Sequence, residues 1–153
     1  MAITLAQICD AIESTLDDAT PGTPATGIKS QSYDELTEGI HDTPLLQVYP
    51  QSGTQDPGGL TDRSTFSAGV RQTEVVIHAD YYAEERGVNI GQEMARLVDG
   101  IDAITNVIEG QDQKPYFGLV GIKAFSWRWE HVTFDYGGVR YMGARFFITL
   151  RVF

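Results

Sequence analysis

The sequence holds a single cysteine, Cys9, in 153 residues. That excludes a disulfide framework and a zinc site built on several thiolates. Basic residues are scarce: 11 Lys+Arg against 21 Asp+Glu give a formal net charge of −10. A protein whose main task is to grip nucleic acid needs clustered Lys and Arg against the phosphates. No apolar run reaches about 18 residues, which excludes a membrane-spanning helix. The N-terminal Met1-Ala2-Ile3-Thr4 lacks the basic segment and apolar run expected of a secretory leader. What is present is a hydrophobic share of 42%, ordinary for a globular protein. A chain of this length can bury a core unaided, so one domain over 1–153 is expected.

Hydrophobic spacing predicts a first helix over Leu5–Ala19. Leu5, Ile8, Cys9, Ile12 and Leu16 form its apolar stripe. Thr4 and Gln7 are spaced as a capping box, and Ile3 and Ile8 as a hydrophobic staple. Asp10, Glu13, Asp17 and Asp18 lie on its other face, and Thr20-Pro21-Gly22 is expected to stop it. Residues 20–44 read as a turn-rich surface crossing, with one helical turn possible over Tyr33–Gly39. Leu45–Tyr49 reads as a strand closed by Pro50. Gln51 to Arg71 reads as a long polar loop, either a flexible hairpin connection or a segment that orders on a partner.

Alternation is clear in Gln72–Ala83. Val75, Ile77, Ala79 and Tyr81 take one face; Glu74, Val76, His78 and Asp80 take the other. A second helix is expected over Ile90–Ile108, with Asn89 as N-cap and Gly110 as stop. Its core stripe is Ile90, Met94, Leu97, Val98, Ile101, Ile104 and Ile108. Gly100 inside it implies a close approach to the sheet, because glycine costs up to about 1 kcal/mol of helix propensity.

The last third reads as a hairpin with arms Ile122–Phe134 and Val139–Phe153, turning at Asp135-Tyr136-Gly137-Gly138. Met142, Ala144, Phe146, Ile148, Leu150 and Val152 form one row of the second arm. Tyr141, Arg145, Phe147, Thr149 and Arg151 form the other. The expected fold is α+β: about four mostly antiparallel strands, two helices on one face, and a long loop between the first two main strands. A 15-residue arm would span roughly 50 Å, more than the roughly 40 Å of a compact domain this size. The hairpin is therefore expected to project or to bend, with Gly143 as the bend. A projecting ribbon needs a partner. Trp127, Trp129, Arg145 and Arg151, aromatic and cationic, are expected opposite the apolar row, where they would supply the contact.

Chemistry-bearing patterns are thin. His78 and Asp80 share a strand face near Glu84 and Glu85, a possible carboxylate–imidazole pair, but H-E-x-x-H is absent and a solvated strand face fits better. Ser64 and Ser67 lie in no G-x-S-x-G elbow. Cys9 on an apolar stripe reads as a small core residue. Pro57-Gly58-Gly59 lacks the G-K-[ST] ending of a phosphate loop. Neither a catalytic site, a metal nor a cofactor is expected.

The order of elements resembles the tail terminator (tail completion) proteins of long-tailed bacteriophages, of the minor tail protein U type. The resemblance rests on the capped helix, strand Leu45–Tyr49, the loop ending Thr61-Asp62-Arg63-Ser64-Thr65-Phe66, strand Thr73–Tyr82, helix Ile90–Ile108 and the aromatic hairpin Phe125–Phe134 with Tyr141–Val152. It implies a virion protein assembled in the host cytoplasm. Copies would form a ring, usually of six, on the tail tube protein, stop its polymerisation, and meet a head-completion or neck protein. Genomic DNA would pass through unbound. Under this reading Arg63, Arg71, Trp127, Trp129, Arg145, Phe147 and Arg151 are subunit or partner contacts. Asp10, Glu13, Asp17 and Asp18 are candidates for the channel lining. The competing readings are a head-closure or head–tail adaptor protein, and a small ligand-binding or enzymatic domain using His78 and Asp80.

Overall fold

A computed structural model describes residues 3–17, 28–36, 44–55, 73–85 and 90–152. The expected Asn89 cap, most of the polar loop, and Arg63, Arg71 and Asp18 lie outside the described residues. The elements are α1 (Leu5–Leu16), β1 (Lys29–Gln31), β2 (Leu45–Gln55), β3 (Thr73–Glu85), α2 (Ile90–Glu109), a 3-10 turn (Tyr116–Gly118), β4 (Ile122–Tyr136) and β5 (Val139–Val152). The fold is α+β, as expected, with five strands rather than about four. Their order is β1-β2-β3-β5-β4. β1 runs parallel to β2; every other pair is antiparallel.

α1 starts as expected. The Thr4 hydroxyl accepts from the Gln7 N–H at 3.2 Å, and Gln7 Oε1 accepts from the Thr4 N–H at 2.9 Å. Ile8, Cys9, Ile12 and Leu16 are buried, whereas Leu5 is exposed. The helix ends at Leu16 rather than at Ala19. Acidic Asp17, the C-cap at the negative end of the helix dipole, disfavours continuation.

α1 packs on β2, and α2 packs on β3 and β5, so both helices cover one face of the sheet. The core between them holds Ile8, Ile12, Leu46, Val48, Ile77, Ala79, Tyr81, Ile104, Phe146 and Ile148. A Cβ built at Gly100 would collide with the Tyr81 ring. This is the close approach that the glycine implied. Leu97, Ile101, Ile104 and Ile108 are buried as expected, but Met94 and Val98 are exposed. They sit about 60–100° round the helix from Leu97, on the flank of the stripe.

β2 runs through Pro50 to Gln55 instead of stopping. β1 covers β2 only at Leu45–Gln47. Beyond that point, among the described residues, β2 is a sheet edge, where a missing N–H is tolerated. The register slips between Pro50 and Ser52.

The hairpin does not project as expected. β5 is central, paired with β3 from Tyr141 to Val152 and with β4 from Val139 to Val152. Only the turn end reaches past β3. Gly137 (φ 60°) and Gly138 (φ 82°) make that turn, the positive φ at both positions that a two-residue type I′ turn demands. Gly143 lies beside the register shift at Tyr82/Glu84. A Cβ there would strike the Tyr81 carbonyl and the Phe134 ring.

Candidate functional site

The face of the sheet away from the helices carries the chemistry-bearing residues. Ladder register fixes which they are: Tyr49, His78 and Phe147 lie side by side across β2, β3 and β5, and Gln47, Asp80, Arg145 and Glu130 form the next row. The Arg145 Nε donates to Asp80 Oδ1 at 2.7 Å and its Nη2 to Oδ2 at 3.2 Å. The Tyr49 hydroxyl also donates to Oδ2. Three donors thus hold one carboxylate, whose side chain is 3% exposed. That arrangement satisfies a buried charge that would otherwise be costly. The hydrogen bond to Asp80 raises the Arg145 pKa. Burial, and then the hydrogen bond to Asp80, raise that of Tyr49. The sequence expectation of a solvated His78 and Asp80 is overturned: both are buried. Among the described residues no helix lies over them; Tyr49 and Arg145 bond Asp80, and the Tyr49 and Phe147 rings flank His78.

His78 is held by aromatic edges. The Tyr49 ring is 5.5 Å away and the Phe147 ring 4.8 Å, both near perpendicular. Its Nε2 is buried and has no hydrogen-bond partner among the described residues. Burial lowers its pKa; Arg145 and Arg128 lower it further against the opposing pull of Asp80. The Arg128 guanidinium stacks 3.8 Å from the Phe147 ring centroid. It also pairs with Glu130 on the same strand, both more than half exposed. An exposed pair of this kind contributes little to stability.

A second apolar cluster closes the turn end of this face. Tyr82, Phe134, Tyr141 and Leu45 pack there, with Tyr82–Phe134 centroids 4.5 Å apart. The Tyr82 hydroxyl donates to Gln47 Oε1 at 3.2 Å, and Gln47 Nε2 donates to Gln31 Oε1 at 3.2 Å. This chain links β3, β2 and β1. At the other end, Arg151 and Glu74 line a cleft of about 270 Å³ with Ala124, Phe125, Ser126 and Thr149.

The sequence-predicted contact residues divide between the two faces. Trp127 pairs with Ile148 and Trp129 with Phe146, so both tryptophans share the helix side with the apolar row. Arg145, Phe147 and Arg151 lie on the opposite side, so the single aromatic–cationic face expected for all of them does not exist. Trp127 packs half-buried against the main core, while Trp129 is 44% exposed. Arg145 is engaged within the chain by Asp80. Arg151 is exposed.

The acidic residues of α1 meet β1. The Ser32 hydroxyl donates to Asp10 at 2.7 Å, and the Ser30 hydroxyl contacts Glu13 at 2.5 Å and Asp17 at 2.8 Å. These carboxylates clamp the short edge strand to the helix. Cys9 is buried, its thiol pKa pushed up to about 11 by desolvation and then by Asp10. That is the behaviour of an unreactive core thiol. Tyr49, Gln47 and Tyr82 escaped the sequence reading; the alternation of Gln47 and Tyr49 with Leu46 and Val48 along β2 was the available signal.

Among the described residues no group of three or more His, Cys, Asp or Glu side chains is placed to hold a metal ion. None of their helices is long and apolar enough to cross a membrane. No family model matches the chain, and no curated protein matches it.

Proposed function

We propose that this chain is a structural assembly protein of the tail-terminator type. Copies close into a ring, six in number as the resemblance implies, on the last ring of the tail tube. The ring stops tube growth, offers its far side to a head-completion or neck protein, and leaves a channel for DNA. The protein then resides in the virion, at the junction of tail and neck.

The observation that supports this reading best is an open sheet edge. β4 is 15 residues long and mostly exposed, with no strand outside it among the described residues. Backbone donors and acceptors along such an edge are a surface for another chain. Charge fits the same role. Six copies at −10 carry about −60, and a bore sharing that charge repels DNA phosphates, so the strand slides instead of sticking. The bore argument rests on this overall charge, since Glu13 and Asp17 are occupied by Ser30 of β1 and Asp10 by Ser32 just after it.

Electron microscopy of the full chain mixed with tail tubes tests the reading. The expected result is a ring seated at one tube end and tubes that no longer elongate. A protein that leaves tube ends bare and tube growth unchanged overturns it.

A further inference from the structure

The two edges of the sheet differ. On the β2 side, β1 covers Leu45–Gln47, Pro50 follows without an N–H, and the register breaks between Pro50 and Ser52. Each feature obstructs the addition of a strand. β4 carries none of them from Ala124 to Tyr136: it has no proline, no glycine and an unbroken ladder with β5.

The charges along β4 are mirrored in opposite sign about Trp129. Arg128 precedes it and Glu130 follows. An antiparallel second copy with Trp129 opposite Trp129 would set each Arg128 against the other copy's Glu130. Directly opposed side chains in a ladder attract or repel according to charge. The pleat requires opposed residues to share a face, so the register can shift only by moving the centre a whole residue. Centring on residue 128 sets Arg128 against Arg128, and centring on 130 sets Glu130 against Glu130. Trp129 is the one centre of the three at which both charges are satisfied. It is also the large exposed apolar side chain of this strand, 44% accessible in a single copy.

We propose that two copies of the free protein pair antiparallel along β4 about Trp129, joining two five-stranded sheets into one continuous sheet. The inference rests on the open edge and not on the phage reading. Such a contact is isologous and closes at two copies. Under the proposed function, a ring with unlike faces would need this pair to open first.

Sedimentation equilibrium of the full chain at low salt, with circular dichroism to check folding, provides the test. The expected result is a dimer. Arg128→Glu alone and Glu130→Arg alone should each weaken it about tenfold or more, and the double swap should restore it to within about threefold, because opposite charges again face each other. Dilution of the wild type should shift Trp129 emission to the red, a readout that needs no variant beyond Trp129→Phe as the blank. A wild type that stays monomeric up to millimolar concentration overturns the pairing, as do folded single reversals without effect or a folded double swap without rescue. A closed ring that the reversals leave intact also overturns it, while the proposed function stands. A rescued dimer that never caps a tail tube supports the pairing and overturns the proposed function.

Discussion

The two faces of one sheet bury their residues by different physics. On the helix side, α1 and α2 cover β2, β3 and β5, and the interior is apolar and close-packed. On the other side no helix lies over the strands among the described residues. There, buried Asp80 is held by polar partners and buried His78 by aromatic ones. Stability on the first face comes from area removed from water. On the second it depends on each polar group keeping its partner. Adjacent residues of β5 sample both regimes: Phe146 points into the helix side, fully buried, and Phe147 into the other, half-buried.

The largest expected effect tests that contrast directly. Phe146→Ala should cost about 3–5 kcal/mol, the cost of emptying a packed aromatic site, and lower Tm by roughly 6–20 °C for a domain of this size. Phe147→Ala should cost about 1–2 kcal/mol, within the common range for a partly exposed site. Thermal and denaturant unfolding of the two variants side by side measures the difference. Equal losses would mean that the outer face is as tightly packed as the inner one.

Next in size is the ion pair. Asp80→Ala strands the Arg145 guanidinium and removes the Tyr49 acceptor. Breaking a buried pair costs about 3–5 kcal/mol; Arg145 is 32% exposed and recovers part of that from water, so about 2–3 kcal/mol is expected. Replacing both partners, Asp80→Leu with Arg145→Met, should come within about 1 kcal/mol of wild type, because matched apolar residues avoid the desolvation cost. A double variant as unstable as Asp80→Ala would show that Tyr49 and its neighbours need the carboxylate itself. Smaller still is Gly100→Ala. Its Cβ meets the Tyr81 ring, and overpacking of this kind costs about 1–3 kcal/mol despite the gain in helix propensity.

The helix side was readable in the sequence because burial there follows from residue type and period. Val75, Ile77, Ala79 and Tyr81, and Met142 through Val152, fall where alternation puts them. The outer face was not. Asp80 and His78 looked solvated because a polar residue is normally exposed, and their partners lie far along the chain: Tyr49 is 31 residues away from Asp80, and Arg145 is 65. Alternation tells which face a residue takes, not which neighbour meets it. Strand order hid those neighbours too, since β5 enters between β3 and β4. Trp127 and Trp129 fall on the face opposite Arg145 for a reason the sequence carries. A two-residue Gly137-Gly138 turn opposes Tyr136 to Val139, and every later pair follows, Trp129 with Phe146 and Glu130 with Arg145. The turn therefore already separated the tryptophans from the arginines.

The smallest effect is a pH dependence confined to the outer face. His78 is buried between Tyr49 and Phe147, its Nε2 unpartnered, and burial together with Arg145 and Arg128 lowers its pKa. The unfolded chain keeps an ordinary imidazole near 6.5. Below that value the unfolded state takes up a proton that the folded state resists, so acid favours unfolding. The contribution of neutral His78 is therefore complete above about pH 6.5 and is lost as pH falls toward the lower folded value. His78→Phe keeps a ring in the aromatic slot and removes the titration. Between pH 7 and 5, its stability should fall less steeply than that of the wild type, with the two curves converging or crossing on the acid side. Parallel curves would mean that water reaches His78 Nε2 and that this face is wetter than the other in fact as well as in composition.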